Sequence, residues 1–502
     1  MNLAEMIEGH VDERLALITR NREITYGELR DQVARLRGGL QGLGVSPGDR
    51  VAILCANNDL FVVSYLAVVG MGAVAVPLNP ASPAPEIVHE LEVVHPCAAI
   101  VGPSAKAWSD VDRSLVPHAI MAERSVDDGT VTFAELLESE PAPVVEVEPD
   151  HLAAFIFTSG TAGDSKAAML SHGNLLANID QGASAPDRTR AGDVVFGVLP
   201  LFHIFGLNVV LGVSLSVGAT IVLVHRFDPI SAAESIVERK VTIVPGAPPL
   251  WIAFSHFGEL PANTFESVRL AYSGASRLPT SAVDAMRDRF GLQIFEGYGL
   301  TEASPVVTSS VGSGYRAGSV GKVLEGQDVR LVGDDGLDVP SGDAGEVWVR
   351  GANVFQGYFE DPEATDRVLV DGWLRTGDIG TVDDDGFLYL LDRAKDLIIV
   401  SGFNVFPGEV EGVLAEHPAV SEVGVLGVPH PHHGEAVKAY VVLADGAAVD
   451  EETLIEHCLD YLARYKCPTK VVFVDELPRN ASGKLVRREL DGTVLAEPAD
   501  AG

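Results

Sequence analysis

At 502 residues and 47% hydrophobic content, the chain is too long for one ordinary domain and too apolar to be disordered. Its 36 basic and 71 acidic residues leave a formal charge of −35, which repels nucleic acid and anionic lipid headgroups. A polyanionic ligand therefore needs a local site of backbone N–H groups, a few cations and a metal ion.

In chain order, residues 1–14 carry Glu5, Glu8, Asp12 and Glu13 without an apolar run and do not read as a signal peptide. Cys55, Cys97, Cys458 and Cys467 form no C-x-x-C pair, which fits reduced thiols and a cytoplasmic setting. Leu60–Pro85 and Leu201–Val224 lack Asp, Glu, Lys and Arg and are each long enough to span a bilayer. Gly70, Gly72 and Pro77 break the first, and Gly206, Gly212 and Gly218 the second, so both read as buried α/β elements and no membrane span is expected. The first resolves into a helix, Leu60–Val69, and a strand, Ala73–Val76.

Short β-rich runs then alternate with helical patterns, which predicts an α/β fold with largely parallel sheets. Strands are expected at Val51–Leu54, Ala98–Val101, Ala153–Phe157, Ile221–Val224, Val241–Val244, Arg269–Tyr272 and Gln293–Phe295, with helices at Pro229–Arg239 and Thr280–Phe290. After Gly318 the punctuation becomes antiparallel: Val329–Val332, Gly345–Arg350 and Phe387–Leu391 are separated by Asp/Gly turns. Beyond Asp392 lies a compact pattern of about one hundred residues, enough for its own domain. It runs as a strand (Leu397–Val400), a helix (Pro407–Glu416), two strands (Val420–Val428, Ala436–Leu443), a helix (Asp450–Leu462) and a strand (Val471–Val474). The division predicted is a large N-terminal domain over 1–392, built of two α/β sheets and a β-rich subdomain. A hinge at 393–395, a small mobile α+β domain over 396–490 and a tail over 491–502 follow it.

Thr158-Ser159-Gly160-Thr161-Ala162-Gly163-Asp164-Ser165-Lys166 follows a buried strand and precedes a helix expected near Ser171. Small residues let backbone N–H groups approach a phosphate, hydroxyls add donors and Lys166 adds a charge, although Lys166-Ala167 is not the Gly-Lys-[Ser/Thr] of a Walker A loop. An ordinary polar loop is the bland alternative. Downstream come Pro200-Leu201-Phe202-His203, Tyr298-Gly299-Leu300-Thr301-Glu302, Arg375-Thr376-Gly377-Asp378, Asp392-Arg393, Ser401-Gly402-Phe403-Asn404 and Pro478-Arg479-Asn480-Ala481-Ser482-Gly483-Lys484.

In this order and spacing the motifs resemble the adenylate-forming superfamily, in its acyl-CoA synthetase branch, from Tyr26-Gly27-Glu28-Leu29 to Arg488. The resemblance implies that ATP and a carboxylic acid give an acyl-adenylate and pyrophosphate, and that coenzyme A then takes the acyl group. Thr158, Ser159, Gly160, Thr161 and Lys166 would handle the β- and γ-phosphates. Thr301 would meet the α-phosphate and Glu302 would hold Mg²⁺. Ser273, Gly274, Ala275, Glu296, Gly297 and Tyr298 would surround the nucleotide, with Asp378 and Arg393 on the ribose. Lys484 would bridge the carboxylate and the α-phosphate, and the small domain would turn about Lys395 to bring Ser401, Gly402 and Asn404 to the pantetheine. Many relatives in that superfamily carry Pro and Gly where this chain has Ser165 and Ala167.

The acyl pocket is expected from His203, Ile204, Phe205, Val209, Gly299, Pro305 and Val306, with contributions from Pro245–Trp251. Gly297 stands where dicarboxylate-activating relatives carry Arg, and Phe205 where plant aryl ligases often carry Tyr. The first leaves a second carboxylate unsupported and the second leans towards fatty acids over hydroxycinnamates, so a medium or long-chain fatty acid is expected. An aryl or hydroxycinnamate ligase is the alternative, as is a stand-alone enzyme loading an acyl carrier protein; a homodimer is also compatible. The run His430-Pro431-His432-His433 reads as a surface loop, and Glu409 and Glu411 as a solvated first helical turn.

Overall fold

The first uncharged stretch folds because it is enclosed, not because it meets lipid. Asn58 caps the helix Asp59–Gly70 by accepting from Phe61 N–H, and every residue from Phe61 to Gly70 is buried. Among the described residues no helix is long and apolar enough to cross a membrane. The computed structural model describes residues 1–122, 130–158, 165–333, 335–393, 396–400, 403–430, 434–444, 446–479 and 485–490.

Four sheets carry the architecture. The first has seven strands, in the order Val131–Thr132, His118–Met121, Ala98–Val101, Arg50–Leu54, Val74–Pro77, Leu152–Thr158 and Lys166–Ser171. All its pairings are parallel except the last, an antiparallel hairpin in which Thr158 faces Lys166. The second has nine strands and a parallel centre that includes Ile243–Gly246, Leu270–Ser273 and Ile294–Gly299. Beyond it Val306–Ser309 and Lys322–Val323 add antiparallel edges. The third is antiparallel and holds Gln327–Val332, Gly345–Gly351, Trp373–Val382 and Leu388–Arg393. The fourth, a separate small sheet over residues 398–473, packs the helices Pro407–Ala415 and Glu451–Tyr461 on its own apolar core. The expected α/β class, with a large multi-sheet N-terminal part and a small C-terminal one, is what the chain adopts.

Two elements take a form that the sequence left unspecified, and one local expectation needs correction. A strand, Lys166–Ser171, antiparallel to Leu152–Thr158, stands between the glycine/hydroxyl segment and the helix expected near Ser171. That helix, His172–Ser184, begins where expected, capped by Ser171. The second uncharged stretch begins as a π-helix, Phe205–Gly212. Gly206 permits it, since a Cβ there would collide with the Pro200 carbonyl, and Gly212 leaves room for Ile179. Glu409 and Glu411 are not a solvated turn. Glu409 pairs with Lys466 at 2.7 Å, while Glu411 receives two Arg487 hydrogen bonds at 2.7 Å and one from Val425 N–H at 2.8 Å.

Candidate active site

The strand Ile294–Gly299 places Glu296, Gly297, Tyr298 and Gly299 beside Val306–Ser309, with Gly297 opposite Ser309 and Gly299 opposite Val306. The connecting segment is tied down by side-chain amides instead of ladder bonds. Asn353, fully buried, donates its side-chain amide to Ala303 O at 2.7 Å, and its main-chain carbonyl accepts from Ser304 Oγ at 2.7 Å. Asn208 of the π-helix donates to Ser304 O at 2.6 Å and to Leu175 O at 3.1 Å. Asn178 clasps Val306 through both its N–H, at 3.0 Å, and its carbonyl, at 2.9 Å. Thr301 and Glu302 thus lead into a backbone held at each following residue.

One cavity of about 340 Å³ lies against this segment. At one end it is lined by Ser273, Gly274, Ala275, Glu296, Gly297, Tyr298 and Thr301, the residues expected around a nucleotide. The same space continues past His203, Ile204, Phe205, Val209, Gly299, Pro305 and Val306, along the Tyr272 and Leu270 side of the strand Leu270–Ser273. It reaches Arg188, whose carbonyl is held at 2.7 Å by Arg269, the residue just before that strand. Glycines give the cavity its width: a Cβ on Gly299 would run into Pro305 O, and one on Gly274 would lie 3.0 Å from the Phe205 ring. Of the expected Pro245–Trp251 wall only Ala247 lines the space, because Trp251 is fully buried in a neighbouring core with Phe254 and Leu250.

Burial sets the electrostatics of the lining. It pulls the His203 imidazole down to about 4, so the ring is neutral near pH 7, and among the described residues His203 Nε2 has no hydrogen-bond partner. The Glu296 carboxyl is pushed up by burial, partly offset by the Leu278 N–H and by Arg277.

The remaining polar groups converge from other sheets. Tyr298 donates its hydroxyl to Asp378 Oδ2 at 2.6 Å, and both residues are buried. Asp378 is the cross-strand partner of Arg393 in the third sheet. Glu302 Oε1 accepts from the Tyr358 hydroxyl at 2.7 Å, and Phe355 N–H donates to the Glu302 carbonyl at 2.9 Å. Lys166 Nζ lies 3.0 Å from Asp361 Oδ2 and 5.3 Å from the centre of the Tyr358 ring. Ala167 is buried opposite Phe157.

Ser159, Gly160, Thr161, Lys395, Ser401, Gly402 and Lys484 lie outside the described residues, as do Pro431, His432 and His433. Arg393 and Asn404 are placed by their backbone, each on a strand. Among the described residues no three His, Cys, Asp or Glu side chains could hold a metal ion together. Glu302 still fits Mg²⁺, which needs few carboxylates when phosphate oxygens and water complete its shell. Tyr358, Asp361, Asn353 and Asn208 carry no motif signal and enter the site only through the fold.

Family models for the AMP-binding enzyme and the AMP-binding enzyme C-terminal domain match residues 3–359 and 409–484. The chain belongs to the AMP-binding enzyme family. Within it the chain falls in the acyl-CoA synthetase branch. It is 34% identical to a long-chain-fatty-acid–CoA ligase of Bacillus subtilis, over 95% of this chain and 91% of that protein. It is 38% identical to a feruloyl-CoA synthase of an Amycolatopsis species, over 93% of each. The ATP-bound crystal structure of MatB from Rhodopseudomonas palustris superposes with a TM-score of 0.91 at 33% identity, covering 98% of this chain and 99% of that one. The family's two-part organisation therefore extends over nearly all of the described fold.

Proposed function

We propose that this AMP-forming acyl-CoA synthetase activates a medium or long-chain fatty acid. One observation carries the reading: a single cavity joins a polar end, at Ser273–Ala275, Tyr298 and Thr301, to a largely apolar length past Ile204, Val209, Pro305 and Val306. An acyl-adenylate has that same division of head and tail. The polar groups along the acyl length are mostly engaged elsewhere. Asn178 is committed to Val306 and Gln181, and the Thr308 hydroxyl donates to Val320 O at 2.7 Å. A ring hydroxyl would find few partners there, whereas methylene groups need none.

In the first half-reaction a carboxylate oxygen forms a bond to the α-phosphorus, the bond to the bridging oxygen breaks, and pyrophosphate leaves with the electron pair. In the second a thiolate attacks the acyl carbon and AMP leaves. Charge develops on phosphate oxygens in the first step, so fixed donors and cations dominate its rate. Thr301 would donate to the α-phosphate, and Thr158 with Lys166 would hold the β- and γ-phosphates. Asp378, oriented by Tyr298, would accept from ribose hydroxyls. Mg²⁺, when bound at Glu302, supplies charge neutralisation on the polyphosphate. His203, neutral and half-buried, can donate a hydrogen bond to the incoming carboxylate. Lys484 would bridge carboxylate and α-phosphate, and would have to withdraw before the thiol arrives. The small domain then turns about Lys395 and presents Ser401, Gly402 and Asn404.

The 38% identity to a feruloyl-CoA synthase favours an aryl acid as the second reading. Release of pyrophosphate and AMP across a panel of fatty, hydroxycinnamic and amino acids, with and without coenzyme A or a holo-carrier protein, separates the readings. We expect turnover with C8–C16 acids, where about 8 to 16 carbons match an apolar cavity of this kind, and AMP release that needs coenzyme A. Activity confined to aryl acids would overturn the choice of acid, and AMP release with the carrier alone the choice of thiol.

A further inference from the structure

Lys166 is the first residue of its strand, and the partner that meets its ammonium comes from a different element. Asp361 lies just ahead of the helix Pro362–Val368. Its Oδ1 accepts from Ala364 N–H at 2.9 Å, as the helix N-cap, while Oδ2 faces Lys166 Nζ at 3.0 Å. The cap, followed by Pro362 at the first helical position, fixes the carboxylate so that it cannot follow the lysine when the lysine moves. The Ala364 N–H and then Lys166 hold the Asp361 carboxyl below the usual carboxylate range, so the group is an anion near neutral pH. The two side chains are 26% and 37% exposed, so water screens the pair and its partners exchange readily.

We infer that Asp361 is a competing counter-ion for Lys166, a positioning residue that weakens the lysine's grip on the polyphosphate and speeds release of pyrophosphate. This rests on the reading of Lys166 as the cation for the β- and γ-phosphates. A phosphate that approaches Lys166 also approaches Asp361, and the two anions lower each other's affinity for the shared ammonium. Cleavage of the bond between the α-phosphorus and the bridging oxygen leaves new negative charge on the departing β-phosphate. The repulsion from Asp361 therefore grows at the step when the product must leave. The Tyr358 ring, against which the ammonium sits, allows it to shift between carboxylate and phosphate while keeping one favourable contact.

Asp361→Asn tests this, because asparagine caps a helix as well as aspartate does and keeps the side chain's shape while removing its charge. Initial rates are measured with ATP varied and with pyrophosphate as inhibitor, in the wild-type and Lys166→Ala backgrounds. We expect the KM for ATP and the inhibition constant for pyrophosphate each to fall about three- to five-fold, the scale of a partly exposed ion pair. The melting temperature should be unchanged, and the kinetic effect should vanish in Lys166→Ala. A purely structural role would instead lower the melting temperature and move both constants alike in either background, which would overturn the inference. So would unchanged constants in Asp361→Asn while Lys166→Ala raises the KM for ATP. If Lys166→Ala leaves that KM unchanged, the phosphate reading of Lys166 fails, and the inference with it.

Discussion

Tyr358 joins two charges that lie far apart in the chain: its hydroxyl holds Glu302 Oε1, and its ring lies near Lys166. Tyr358→Phe keeps the ring and removes one hydrogen bond to a carboxylate, worth about 1.5–3 kcal/mol. We expect kcat/KM for adenylate formation to fall about ten-fold or more and the half-saturating Mg²⁺ concentration to rise, with little change in melting temperature. An unaltered Mg²⁺ dependence would show that Tyr358 does not orient the carboxylate. The sequence displayed Thr301, Glu302, His203 and Asp378 because each sits in a short motif. It could not display Tyr358 or Asp361, which reach the site only because the first sheet's hairpin and the loop near residue 357 cross. Met169 N–H, for example, bonds to Gly357 O at 2.9 Å. Glu411 was misread for the same reason, since its partner Arg487 lies 76 residues away.

The elements were more legible than their exact form. Parallel strands followed from β-branched runs between helical patterns, and most ends fall within two residues of expectation. The π-helix did not announce itself, because Phe205–Gly212 is apolar throughout and has no period that distinguishes one helical pitch from another. Its wider turn nevertheless decides where Asn208 goes. Asn208→Ala would leave the buried carbonyls of Ser304 and Leu175 without this donor, at about 1–3 kcal/mol for each group left unanswered. We expect the melting temperature to fall by about 5 °C and the KM values for acid and ATP to rise together. A change in the acid KM alone would mean that the π-helix serves the acyl wall and not the Thr301–Pro305 segment.

For the molecule as a whole, acid should be more harmful than its acidic composition suggests. His172 is fully buried and its Nδ1 accepts from Leu3 N–H at 2.9 Å, a role open only to the neutral ring. Burial first, then the charges of His151 and the N-terminus, pull its pKa down to about 4. An unfolded histidine titrates near 6.5, so the unfolded chain takes up the proton first as pH falls. The stability present above pH 6.5 is lost progressively towards pH 4, by on the order of 3 kcal/mol for this group. His203, also at about 4, acts in the same direction. Thermal unfolding should show a falling melting temperature between pH 6.5 and 5, and His172→Asn should make that slope shallower. An identical slope in the variant would clear the ring of responsibility.

Asp392 closes the third sheet, yet its Oδ2 accepts from Gly408 N–H at 2.6 Å in the small C-terminal unit. Its Oδ1 faces Arg487 at 4.0 Å, and the side chain is only 4% exposed. This carboxylate therefore sits, largely out of water, at the contact of the third sheet with the C-terminal unit. Withdrawing Gly408 N–H from it would leave an anion short of a donor in a poorly hydrated place, so this one side chain acts as a latch that favours the arrangement seen here.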